Sequence, residues 1–258
     1  MKSLSILAVL LASALPATAA VAQHESGHHA ASQSDVIAAA IADPNRPAAD
    51  RDRDALRHPG DLLAFTGIKP GDAVIDVWPG GGYWTRLFSA AVGPKGSVTA
   101  YVPAEIVNFG SKPLDVARAF AAEPGRGNVT VVSDPLADPA PPAIADIIWT
   151  SQNYHDLHNI KDADVAAFNR EVFRALRPGG VYIVIDHAAP AGSGVKNTAD
   201  LHRIDPETVK AEAKAAGFVL ESEGKMLANP ADPHDIKVFD PAIRGKTDQF
   251  VFKFRKPK

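Results

Sequence analysis

The chain has 258 residues, with 27 basic and 30 acidic side chains, a net charge of −3 and no cysteine. Hydrophobic residues make up 46% of it, enough for one sizeable packed core. The slightly acidic balance, with lysine and arginine scattered, excludes a general polyanion binder, so no nucleic acid partner is expected, and the missing cysteines exclude a disulfide scaffold.

In chain order, Lys2 precedes an apolar run from Leu4 to Leu15, which is too short to span a bilayer. The small residues Ala17-Thr18-Ala19 and Ala20-Val21-Ala22 follow. This order predicts a signal peptide over 1–22, cleavage before Gln23, and a periplasmic or secreted product with no stable membrane anchor after cleavage. Residues 23–34 read as a flexible leader carrying His24, His28 and His29. One domain is expected over 35–258, opening with a short helix from Asp35 to Ala42. The charged run Arg51-Asp52-Arg53-Asp54, continuing to Pro59, reads as a solvated helix face with local ion pairs.

From Leu62 onward, strand and helix patterns alternate. Strands are predicted over 73–77, 97–102, 129–132, 145–150 and 181–186, and helices over 114–122 and 164–176. Their continuous apolar interiors suit strands covered on both faces. Asp205 and Pro206 open a last helix that stops at Gly217. Phe218–Leu220 and the alternating Phe250, Phe252 and Phe254 predict two more strands with no helix between them, hence an antiparallel hairpin at one edge. The fold class expected is therefore a doubly wound, Rossmann-like α/β seven-stranded sheet. The 228–248 loop is long for a compact domain, and such loops are commonly functional.

The densest signal is Asp76-Val77-Trp78-Pro79-Gly80-Gly81-Gly82 after the first strand. Trp84, Leu87, Phe88 and Ala91 then mark one helical face. A strand, a glycine turn and a helix N-terminus together let a ligand approach bare backbone. The dinucleotide pattern G-x-G-x-x-G is not met. Asn153-Tyr154-His155-Asp156 and Asp186-His187 fall after the fourth and fifth strands, at the carboxyl edge where such sheets bind ligands.

With Asp134 after the third strand, Asp146-Ile147-Ile148-Trp149 as the fourth and Leu176-Arg177-Pro178-Gly179-Gly180 before the fifth, the chain resembles the class I S-adenosylmethionine-dependent methyltransferases over roughly residues 60 to 256. It is similar in particular to a group of exported methyltransferases with Trp-Pro-Gly-Gly-Gly, Asn-Tyr-His-Asp and Thr-Asp-Gln-Phe segments, here Trp78–Gly82, Asn153–Asp156 and Thr247–Phe250. The resemblance implies S-adenosylmethionine as cofactor and a small-molecule acceptor. It implies cofactor contacts from Asp76, Trp78, Pro79, Gly80, Gly81, Gly82 and Asp134, and a catalytic edge of Asn153, Tyr154, His155, Asp186 and His187, with one histidine as base.

Two positions depart from the family pattern. Trp78 stands where the first glycine is usual, and no acid closes the second strand, Glu105 being the nearest. These departures raise a second reading, a non-catalytic periplasmic binding domain on the same fold. A third is a metal-dependent hydrolase or lyase, with Asn153, Asp156, Asp186 and the two histidines converging on one ion. Oxygen-methyltransferases of the catechol type hold a divalent ion with acids and an amide after the fourth and fifth strands, but the spacing here does not match that pattern closely, and no metal is assigned. His202-Arg203 is expected to close over the acceptor or to cap the fold, and His158 and His234 to lie at the surface.

Overall fold

The computed structural model describes residues 32–136 and 144–258. The predicted signal peptide and most of the leader lie outside the described residues. Helix α1 spans Gln33–Ile41 and begins two residues earlier than expected. Ser32 accepts from the Asp35 N–H while the Asp35 carboxylate accepts from the Ser32 N–H, a reciprocal cap, so Gln33 and Ser34 belong to the helix and not to the leader. The charged segment folds into three short helices, α2 (Ala48–Arg51), α3 (Asp54–Arg57) and α4 (Pro59–Thr66).

The remaining elements follow the predicted alternation. They are β1 (Ala73–Val77), α5 (Tyr83–Val92), β2 (Ser97–Tyr101), α6 (Pro113–Ala121), β3 (Val129–Val132), β4 (Ala145–Ser151), α7 (Tyr154–Leu157), α8 (Val165–Ala175), β5 (Leu176–His187), α9 (Pro206–Ala215), β6 (Val219–Gly224) and β7 (Gln249–Arg255). The strands form one seven-stranded sheet in the order β3-β2-β1-β4-β5-β7-β6. The first five run parallel, and β7 enters antiparallel between β5 and β6. The fold is thus the expected doubly wound α/β sheet with an antiparallel end. Strand β5 starts at Leu176 and so includes the Arg-Pro-Gly-Gly segment that sequence placed before it.

Pleating divides the core. Ile147, Trp149, Val181, Ile183 and Ile185 face α1, α4 and α5, whereas Ile148, Tyr182, Val184 and Phe252 face α8 and α9. Order reverses at β1, whose neighbours are β2 and β4, so the carboxyl ends of these strands open a crevice between them. No helix among the described residues is long and apolar enough to cross a membrane.

Candidate active site

The crevice is built on the turn after β1. Trp78 sits at φ +53°, in the left-handed region that glycine adopts freely and a bulky residue resists. That geometry accounts for the family's preference for glycine at this position. Here the strain is held from three directions. The Trp78 N–H donates to the Tyr101 carbonyl at 2.8 Å, and the Asn153 amide nitrogen donates to the carbonyls of Val77 and Trp78 at 2.9 and 3.0 Å. The indole lines the cleft and meets Phe109 edge-on at 6.1 Å.

The three glycines differ. A Cβ on Gly80 or Gly81 would meet nothing within 4 Å, so both present bare backbone to the cleft. A Cβ on Gly82 would lie 2.5 Å from the Phe120 ring, and Gly82 is at φ +81°. Gly82 therefore serves packing and the start of α5, and it does not line the cleft.

Beneath the turn, Asp76 is buried and accepts a 2.6 Å hydrogen bond from the Thr85 hydroxyl. Burial pushes its carboxyl up to about 7, against the Thr85 hydrogen bond and the nearby Arg57 charge. The other wall was not legible as a site: Arg53, Arg57 and Tyr83 line the same cleft of about 240 Å³. Arg57 lies over the Tyr83 ring at 4.6 Å and ends 3.5 Å from the Gln152 Oε1. Among the described residues it makes no ion pair. Burial, then repulsion from Arg53, holds its guanidinium below its ordinary value. The segment is pinned by Arg46, fully buried and bidentate to Asp54, which also accepts from the Tyr83 hydroxyl. The charged run is largely exposed and carries a local ion pair between Arg53 and Asp50, as expected, but Arg53 and Arg57 also reach over the glycine turn.

The ends of β4 and β5 supply the polar edge. Asp186 is fully buried. One of its oxygens accepts the His155 backbone N–H at 2.7 Å, and the other lies 2.8 Å from both the His155 Nδ1 and the His187 backbone N. Burial disfavours a charged His155, but Asp186 and Asp156 outweigh it and lift the ring to about 10. Of the two histidines offered as base, His155 is therefore a held cation. Burial pushes His187 down to about 4, so it is neutral, with Nδ1 2.7 Å from the Thr247 hydroxyl.

A second cavity of about 330 Å³ adjoins the first through Arg53, Arg57 and Gln152. His187, Thr247 and Gln249 form its polar side, and Leu56, Val238 and Phe239 its apolar side. The 228–248 loop builds much of this wall. It is anchored by Arg203, fully buried and bidentate to Asp232 at 2.9 and 3.0 Å, so Arg203 braces the fold and pairs with no ligand.

The expected site residues separate accordingly. Asp76, Trp78, Pro79, Gly80, Gly81 and Asn153 line the first cleft, and His187 lines the second. Tyr154 is buried, donating to Glu212 on α9 at 2.6 Å and accepting from Asn169 on α8 at 2.7 Å, and so cannot orient an acceptor. Asp186 positions the two histidines. Asp134 lines neither cavity and serves β2 through its main-chain carbonyl, which accepts from Tyr101 and Ala104. Glu105 turns to the Leu136 N–H at 3.0 Å. His158, expected at the surface, is tucked between Tyr154 and Glu212. His234 is partly covered and bonded to Asp248.

The ubiE/COQ5 methyltransferase family matches residues 60–235. The ubiquinone/menaquinone biosynthesis C-methyltransferase of Vibrio vulnificus is 29% identical over 190 residues, covering 73% of this chain and 63% of that protein. The chain thus spans a little under two thirds of that relative's length. Among solved structures, a SAM-dependent methyltransferase from Aquifex aeolicus superimposes with a TM-score of 0.56 at 19% identity, over 83% of this chain and 96% of its own. The [4+2]-cyclase SpnF superimposes with a TM-score of 0.53 at 18% identity, over 86% and 91%. These two likenesses speak to fold alone, which hosts more than one chemistry. The family match, spanning the glycine turn, both strand-end histidines and most of the sheet, decides the assignment: the chain belongs to the ubiE/COQ5 methyltransferase family.

Proposed function

We propose that this protein transfers a methyl group from S-adenosylmethionine to a small acceptor, after export from the cytosol. The observation that carries the reading is the cleft over Gly80 and Gly81, with the Asp76 carboxyl on one side and, on the other, Arg57, which makes no ion pair among the described residues. That combination suits an α-amino acid zwitterion. The carboxylate takes the ammonium, the guanidinium takes the carboxylate, and the main-chain groups of the turn fill the space between. The residues present therefore fit the amino-acid end of the cofactor. At its nucleoside end the usual acid is missing, since Glu105 is engaged elsewhere, and Trp78 with Phe109 offers a flat apolar surface instead.

When bound, the cofactor supplies an electrophilic methyl group on a sulfonium. The chain's own task is alignment and exclusion of water. The second cavity holds the acceptor, with Leu56, Val238 and Phe239 against its apolar part. His187, neutral near pH 7, accepts a hydrogen bond from the acceptor and directs its lone pair toward the first cleft. Asn153 fixes the turn with its amide nitrogen, while its buried Oδ1 has no partner among the described residues and can take a donor from a ligand. The relatives act, as their names say, in ubiquinone and menaquinone biosynthesis. Here the acceptor is a small molecule whose identity the cavity walls leave open.

The test is calorimetric titration of purified, tag-free protein with S-adenosylmethionine and S-adenosylhomocysteine. Saturable heat and a thermal shift are expected, and their absence at millimolar ligand would overturn the reading. Tight binding without methyl transfer to any of a panel of thiol, hydroxyl and quinol acceptors would favour the non-catalytic binding domain.

A further inference from the structure

Beside the methyl-transfer cleft, three side chains bring possible ligand atoms close together. They are the Nε2 of His155, the Oδ1 of Asp156 and the Nδ1 of His202. The separations are 3.2 Å between the two histidine nitrogens, 3.3 Å from His155 to Asp156 and 3.6 Å from His202 to Asp156. Each is longer than a good nitrogen–oxygen hydrogen bond, which centres near about 2.9–3.0 Å. Two of them come near the edge of a metal tetrahedron, and the third, 3.6 Å, would close by a few tenths of an ångström around an ion. With metal–ligand distances of about 2.0–2.1 Å, two corners of a tetrahedral zinc site lie about 3.3–3.4 Å apart. An octahedral ion of similar size would bring neighbouring ligands to about 3.0 Å.

The surroundings are those of a prepared ligand set. Asp186 lies 2.8 Å from the His155 Nδ1 and accepts its N–H, so Nε2 is the ring atom directed at the cluster, and an incoming cation would displace the proton that His155 otherwise carries there. Such a carboxylate behind a ligating imidazole is the usual way that a histidine ligand is oriented. The two imidazole planes stand at 88°, so the rings meet a common point from different directions. His202 is held at φ +55°, a strained backbone for a residue with a Cβ, and its ring rests on Phe239 at 4.9 Å. Sequence singled out His155 and Asp156 but placed His202 in a lid. The chain brings it in from 46 residues beyond Asp156 through the turn ahead of α9.

We infer that His155, Asp156 and His202 form a three-ligand zinc site, with a fourth corner left for water or for a heteroatom of the acceptor. Two histidines and one carboxylate match the donor set of open zinc centres, and the absence of thiolates disfavours a closed structural one. The site touches both cavities, since Asp156 lines the first and Phe239 the second. Metal binding at these residues stands independently of methyl transfer, because none of the three is among the groups assigned to the zwitterion.

The experiment uses the full chain, tag-free, with His24→Ala, His28→Ala and His29→Ala so that the leader histidines contribute nothing. After removal of metal with a chelator, zinc is titrated by calorimetry and bound metal is counted by elemental analysis. One equivalent is expected, with a dissociation constant of about 1 μM or below. His202→Ala and the nearly isosteric Asp156→Asn should each weaken binding at least about 100-fold, and Asp186→Asn about 10- to 100-fold. Circular dichroism and melting check that each variant is folded. Cobalt loaded in place of zinc should give the intense visible absorption of a tetrahedral site. No uptake at about 100 μM zinc, or uptake unchanged in both His202→Ala and Asp156→Asn, would overturn the inference.

Discussion

Asp76 and Arg57 face each other across the glycine turn, and only one of them was readable as a functional residue. Asp76 announces itself as the carboxylate that ends an apolar strand. Arg57 is one of three arginines in a charged run, and nothing in that run tells which of them turns inward. The structure selects it because Arg46 and Asp54 lock α3 in place. Asp76 has a folded value near 7, above its value of 3.8 in the unfolded chain. The folded state therefore keeps its proton longer, and the stability linked to this group is full below about pH 4 and lost as the pH rises through about 7. Asp76→Asn should flatten that slope and raise stability at pH 8 by on the order of 2–4 kcal/mol, read from melting curves across pH. Cofactor affinity should run the other way, falling as the pH drops below about 7, because the ammonium needs the ionised carboxyl. Calorimetry at pH 6 and 8 measures this, and equal affinities would exclude Asp76 as the contact. Arg57→Gln should weaken cofactor binding about 10- to 100-fold with little change in melting temperature, since among the described residues Arg57 makes no ion pair and its hydrogen bond to Gln152 is long, at 3.5 Å.

At the scale of elements, strand and helix order was legible almost throughout, because both-faced burial leaves continuous apolar runs. The carboxyl-edge location of 153–156 and 186–187 followed from that order. What each residue does there was not legible, since the deciding partners are distant in sequence. Tyr154 is committed to Asn169 and Glu212, on helices that pack across the same face of the sheet. Gly80, Gly81 and Gly82 look alike in sequence but do different work. Gly81→Ala should leave melting unchanged and reduce cofactor affinity. Gly82→Ala should destabilise the fold by about 1–3 kcal/mol, through the Phe120 clash and the left-handed backbone. Identical melting of the two variants would contradict this division of roles.

For the molecule as a whole, the doubly wound seven-stranded sheet and its antiparallel C-terminal hairpin could be anticipated, but the second cavity could not. It is assembled from segments almost two hundred residues apart, with Arg53 and Leu56 on one side and Thr247 and Gln249 on the other. Export remains a proposal, and a mature protein beginning at Gln23 in the extracytoplasmic fraction, identified by mass spectrometry, is its expected outcome. Asp232→Ala would leave the fully buried Arg203 without its carboxylate and should destabilise the molecule by about 3–5 kcal/mol, lowering the melting temperature by roughly 6–20 °C. The same brace has an evolutionary consequence. Asp232 and Asp248 are joined where the Asp248 N–H donates to the Asp232 carboxylate, and the chain between them is tied back again where Ile236 accepts from Arg203 and the Val238 N–H donates to Leu201. Residues 239–245 form the panel that these ties carry into the second cavity. Descendants of this sequence can exchange that panel and change what the enclosure admits while the hinge-free frame behind it stays the same.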